Sequence, residues 1–268
     1  MPDNENPPAS FRPSGLSSYP PGALGEDPAG SRDPVRVSVT ETYLPNGTPV
    51  LVAEPLDVPV ARDVVLSASL RGFTGMYTEL CLRLAQRHRW RIAAPEQFPG
   101  QQDLEEEARQ KEVARFADGS KLGELEAAAS LLTGGPVALI GFCLGGMYAL
   151  KASARPRFDA IVSFYGMVRL PEYWRVPGQA EPLACLSGTG RVLAIAGGRD
   201  PLIAAADLAE LRTTGVRTLV YPEAGHAFAH DTSLPSYRAA DARSAWQAVA
   251  AQLAAPASEQ EKPEKGTN

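Results

Sequence analysis

Cysteine and histidine are scarce, with three of each in 268 residues. Cys81, Cys143 and Cys185 are odd in number and show no metal-ligand spacing, which argues against a disulfide framework or a zinc site. A reducing, cytoplasmic compartment is the simplest expectation. Basic charge is also in short supply. A formal net charge of −5 and a pI near 5.4 leave no electrostatic drive toward nucleic acid or membrane surfaces. No apolar run reaches membrane-spanning length. The opening stretch "MPDNENPPASFRPSG" lacks the basic start and apolar core of a secretory signal.

What remains suits an α/β protein with a sizeable core, since 44% of the residues are hydrophobic. Residues 1–34 are rich in Pro, Gly, Ser and Asp and read as a disordered tail; so does the charged stretch 255–268. Between them lies one domain, 35–254. It opens with two β-like segments around "PNG" (45–47), the pattern of an antiparallel hairpin. Short apolar strands follow at 63–69, 91–95, 136–142, 160–166, 191–198 and 216–225. Helical patterns separate them at 76–88, 103–119, 121–132, 144–154, 204–214 and 236–254, with an irregular stretch up to 190. Strands alternating with helices predict a mostly parallel sheet with helices on both faces.

"IGFCLGG" (140–146) sets a thiol between an apolar strand and a helix, flanked by glycines at 141, 145 and 146. A sharp strand-to-helix turn that presents a nucleophile needs such small neighbours. Two more chemistry-bearing residues fall just past strands, where open α/β sheets gather their sites. Asp200 ends "AIAGGRD", and His226 lies in "YPEAGHAFAH". A thiol needs a base to become a nucleophile, and the base needs a carboxylate to fix its tautomer. Each residue also has a plain structural reading. Cys143 could fill a core corner, Asp200 could cap a helix ahead of Pro201, and His226 could be a loop residue. The order nucleophile, acid, histidine favours the triad Cys143–Asp200–His226.

With "FYG" (164–166), "GGRD" (197–200), "EAGHAFA" (223–229) and the closing segment 236–253, the chain from about 60 to 254 resembles the dienelactone hydrolase family. The resemblance implies the α/β-hydrolase fold. It also implies Cys143 as nucleophile, His226 as base, Asp200 as its orienter, and hydrolysis of an ester or lactone without metal or organic cofactor. The Leu144 amide, at a helix start, and the Arg71 amide, after strand 63–69, are the expected oxyanion donors. Three positions depart from the family pattern or match it only loosely. Leu70 stands where members carry a glutamate, and His230 where an arginine holds a substrate carboxylate. Arg109 could supply a second such arginine. If His230 faces the pocket, it should gain charge below about pH 6.5 and favour anionic substrates. The rival readings are a non-catalytic α/β-hydrolase-fold protein that binds a ligand or partner, and a redox sensor built on Cys143. Intact Cys143, Asp200 and His226 weigh against the first, and the lack of a resolving cysteine against the second.

Overall fold

A computed structural model describes residues 35–132 and 135–254; both expected tails lie outside the described residues. β1 (Val37–Tyr43) and β2 (Pro49–Pro55) form the expected antiparallel hairpin. Asn46 Oδ1 accepts from the Thr48 amide, and Gly47 takes φ +85°, a conformation open to glycine at little cost. β3 (Arg62–Ser67) leads to α1 (Gly75–His88), whose buried Tyr77, Leu80, Cys81 and Leu84 recur at helical spacing. α1 ends at Arg89, in the left-handed region, and β4 (Trp90–Pro95) follows.

The charged segment 103–119 departs from its expected single helix. α2 covers only Glu106–Val113, and α3 runs from Asp118 to Ser130. Tertiary contacts cause the break. Phe116 turns inward to meet Phe98, with ring centroids 5.2 Å apart. Asp118 then pairs with the fully buried Lys151 ammonium at 2.7 Å and accepts from the Ala180 amide at 2.8 Å. A buried ammonium without that carboxylate would be costly, so the start of α3 is pinned there.

β5 (Val137–Phe142) is buried at every position and feeds α4 (Leu144–Lys151). β6 (Phe158–Phe164), β7 (Val192–Gly197), α5 (Ala205–Thr213), β8 (Arg217–Tyr221) and α6 (Ala239–Ala254) complete the order. The sheet runs β1-β2-β4-β3-β5-β6-β7-β8. Its β2–β4 pairing is antiparallel like the hairpin, and all pairings from β4 through β8 are parallel. Parallel pairing brings the carboxyl ends of β3, β5, β6, β7 and β8 to one edge. The core reaches that edge through Phe142, stacked on Phe164 at 4.9 Å, which in turn meets Trp246 of α6 at 5.0 Å. The Trp246 indole N–H donates to the Ala229 carbonyl at 2.9 Å, tying α6 to the loop after β8. No helix among the described residues is long and apolar enough to cross a membrane.

Candidate active site

At the end of β5 the chain reverses within one residue. Cys143 takes φ 53° and ψ −112°, an unfavourable conformation for a residue with a Cβ. Backbone bonds on both sides hold it there. Its amide donates to the Phe164 carbonyl at 2.9 Å, and its carbonyl accepts from the Met147 amide at 2.9 Å. The turn closes only because the neighbouring backbones nearly touch. A Cβ on Gly145 would collide with the Ser67 carbonyl, and one on Gly141 with the Gly145 carbonyl. The Gly145 amide, free to approach, donates to the Ala68 carbonyl at 3.1 Å and ties α4 to the loop after β3. Leu144, the residue after Cys143, supplies the first amide of α4.

Asp200 and His226 arrive from β7 and β8. The two loops are stitched by Gly198 N–H to the Tyr221 carbonyl at 2.7 Å and Arg199 N–H to the Ala224 carbonyl at 2.9 Å. Asp200 is not the cap of α5, which begins at Ala205 after Ala204. One carboxylate oxygen accepts from the Leu202 amide at 2.9 Å within its own turn. The other accepts from His226 Nδ1 at 2.7 Å. The Cys143 sulfur lies near enough to the same ring to favour its charged form. Burial disfavours the charged ring, but the Asp200 carboxylate and the Cys143 sulfur outweigh it. The pKa of His226 is therefore raised to about 10. Sulfur, imidazole and carboxylate form one connected line.

The Arg71 amide is committed within its loop, donating to Ser69 Oγ at 3.3 Å. Its guanidinium reaches Asp231 at 3.5 Å and Glu106 at 3.7 Å. Leu70 lines the same cavity as Cys143 and puts an apolar side chain there. The cavity holds about 900 Å³ and is open at its mouth.

Arg109 does not face this cavity, contrary to its expected role. Its side chain is largely buried, and its guanidinium donates to the Arg71 and Gln102 carbonyls and lies 5.5 Å from the Phe98 ring centre. It braces the Arg71 loop from behind. The expected charge on His230 is corrected as well. The ring is only 3% exposed, stacks on Phe142 at 4.7 Å, and lies between two tyrosine hydroxyls. Tyr77 meets Nε2 at 3.3 Å, and Tyr165 meets Nδ1. Burial pulls its pKa down to about 3, overriding the opposing pull of Asp231. His230 therefore stays neutral well below pH 6.5.

Sequence reasoning missed these two tyrosines as neighbours of the site. Tyr77 reads as one more apolar position of α1. Its hydroxyl accepts from the Ser69 amide at 2.8 Å, and burial pushes its pKa well above the usual phenol range. Tyr165 lies in the quoted "FYG" segment. Its φ of 40° and its amide bond to the Ile195 carbonyl at 2.7 Å were the signals a backbone-level reading would need. Among the described residues, no group of three or more His, Cys, Asp or Glu side chains is arranged to hold a metal ion.

Comparison with known proteins bears on this geometry. The model of the dienelactone hydrolase family matches residues 52–255. A Yersinia pestis protein provisionally named a carboxymethylenebutenolidase is 30% identical over 201 residues, 69% of this chain and 74% of that one. The carboxymethylenebutenolidase of Pseudomonas putida is 28% identical over 203 residues, 68% of this chain and 81% of that one. A crystal structure from Klebsiella pneumoniae, provisionally described as a dienelactone hydrolase, superposes with a TM-score of 0.70 at 26% identity. That superposition covers 82% of this chain and 99% of that one.

Proposed function

The chain belongs to the dienelactone hydrolase family, and from that premise we propose that it hydrolyses carboxylic esters or lactones through a Cys143–His226–Asp200 triad. The observation that carries this reading is the unbroken line from the Cys143 sulfur through the His226 ring to Asp200, anchored on a strained turn. A packing cysteine would not need a left-handed backbone or a charge-stabilised histidine beside it. The three free cysteines support a reducing, cytoplasmic setting.

The chemistry follows from these contacts. We take Cys143 to react as the thiolate, paired with the His226 imidazolium. The thiolate attacks the substrate carbonyl carbon, and the carbonyl electron pair moves onto its oxygen. The Leu144 amide at the start of α4 faces that developing charge. The Arg71 amide adds a second donor by exchanging its long bond to Ser69 Oγ for the oxyanion. Collapse of the tetrahedral adduct breaks the ester C–O bond. The proton on His226 passes to the departing oxygen, leaving a thioester on Cys143. His226, now neutral, takes a proton from water as the water adds to the thioester. Release of the acid restores the sulfur and the charged ring. Leu70 leaves no carboxylate at this position to compete with His226 for the sulfur.

Turnover of a chromogenic aryl ester by wild type, and its loss in a folded Cys143→Ala variant, tests this reading. Equal turnover by both proteins would refute it.

A further inference from the structure

The charge lining the cavity, rather than the triad, speaks to which esters enter. Three arginines border it, and every one is already engaged. Arg71 lies between Asp231 and Glu106, Arg169 is 3.0 Å from Asp207 and also pairs with Glu210, and Arg175 is 3.3 Å from Glu181. Against them stand five lining carboxylates: Glu106, Glu172, Asp200, Asp207 and Asp231. Among the described residues, no arginine lining the cavity therefore offers an uncompensated charge to a substrate anion. Near the sulfur, the two positions that could have carried one do not. Arg109 points away and His230 is buried between hydroxyls.

Apolar groups occupy the space instead. Leu70, Met76, Met167 and Ile203 line the wall. Tyr173 and Leu202 line it too, and they are exposed large hydrophobic residues, 55% and 51% accessible. Such groups gain by covering one another or a ligand.

We propose that this cavity selects uncharged esters with an extended apolar acyl chain and turns away those whose acyl chain ends in a carboxylate. The inference rests on the hydrolase reading above and adds a substrate class to it. An incoming carboxylate meets a lining with an excess of negative charge and must give up hydration without a free cation to replace it. An aliphatic chain of similar length covers Leu70, Met167 and the Tyr173 rim.

The test compares 4-nitrophenyl hexanoate with mono-4-nitrophenyl adipate, which share a leaving group and chain length but differ by a terminal carboxylate. The expected kcat/KM ratio favours the hexanoate by about tenfold or more at low salt, and narrows as salt screens the lining charge. Glu106→Gln removes one partner of Arg71 from an exposed site, and Asp231→Asn removes the other while keeping its turn. Each should shift the ratio severalfold toward the adipate. A preference for the adipate, or a ratio near one that ignores salt and both variants, would overturn the proposal. If that turnover still disappeared in Cys143→Ala, the hydrolase reading would stand and only the substrate class would fall. Hydrolysis of neither ester would overturn both.

Discussion

His226 and His230 stand four residues apart on the loop after β8, yet their protonation is driven in opposite directions. His226 meets a carboxylate at 2.7 Å and a sulfur, and its pKa rises to about 10. His230 meets two hydroxyls and a phenyl face, and its pKa falls to about 3. Both rings are substantially buried, so burial alone does not decide the outcome. The partner does. An anion bonded directly to the ring repays the desolvation of an imidazolium, whereas an uncharged hydroxyl is too weak a partner to do so. One short loop thus holds one ring in its charged form and the other in its neutral form.

The largest effect expected from breaking this contrast comes from the charged ring. His226→Ala should lower kcat for a chromogenic ester by about 10⁴-fold or more, measured on a variant whose circular dichroism matches wild type. A loss below tenfold would remove His226 from the reaction. Asp200→Asn comes next. The amide preserves the turn to Leu202 but can present its NH₂ to the ring, so kcat should fall by about 10³-fold with little change in fold. Unchanged activity in a folded Asp200→Asn protein would rule out its orienting role.

The neutral ring should answer in stability rather than rate. His230→Phe leaves the Tyr165 hydroxyl without its bond to the ring and weakens the Tyr77 network, costing about 1–3 kcal/mol by denaturant titration. It should lower kcat far less than His226→Ala. A kcat loss as large as that of His226→Ala would make His230 part of the chemistry.

How much of this contrast the sequence discloses depends on the range of the contacts. "GFCLGG" states its own turn, because glycines 141 and 145 are demanded by backbones that almost touch. Asp200 follows β7, which ends within a residue of its expected end. By contrast, β8 ends at Tyr221, four residues short of the expected 225, so His226 sits in a longer loop than the apolar run suggests. The parallel sheet and opening hairpin follow from the same periodicity. The environment of His230 is different in kind. Tyr77, one of its partners, comes from α1, 153 positions earlier in the chain. No local pattern reveals whether that position meets a cation, a carboxylate or a hydroxyl. Arg109 misleads for a related reason. Its place on a charged helix lets it read as a cation for the substrate, yet it folds inward to loop carbonyls. The break between α2 and α3 is set by Lys151 and Ala180, both remote in sequence from Asp118.

The pH dependence of stability gives a separate readout of the two rings. The folded pKa of His230 lies below its unfolded value, so its neutral form contributes stability fully above about pH 6.5. That contribution is lost as pH falls toward about 3, at roughly 1.4 kcal/mol per pH unit where the proton uptake differs by one. His226 has the opposite sign: its raised pKa contributes stability fully below about 6.5, lost as pH rises through about 10. His230→Gln should therefore flatten the acid limb of the stability curve and leave the alkaline limb in place. An unchanged acid limb would show that His230 is not held neutral.

The central claim is that Cys143, activated by His226, is the reacting group. Limited alkylation with iodoacetamide at pH 6 tests it most directly, with each cysteine followed by peptide mass spectrometry and residual esterase activity measured in parallel. Cys81 is buried and its thiol is pushed up to about 12; Cys185 is also raised by partial burial. The account predicts that Cys143 is labelled first, that activity falls in proportion to its labelling, and that His226→Ala removes its advantage. Labelling of Cys143 no faster than Cys185, or full labelling with activity retained, would contradict it.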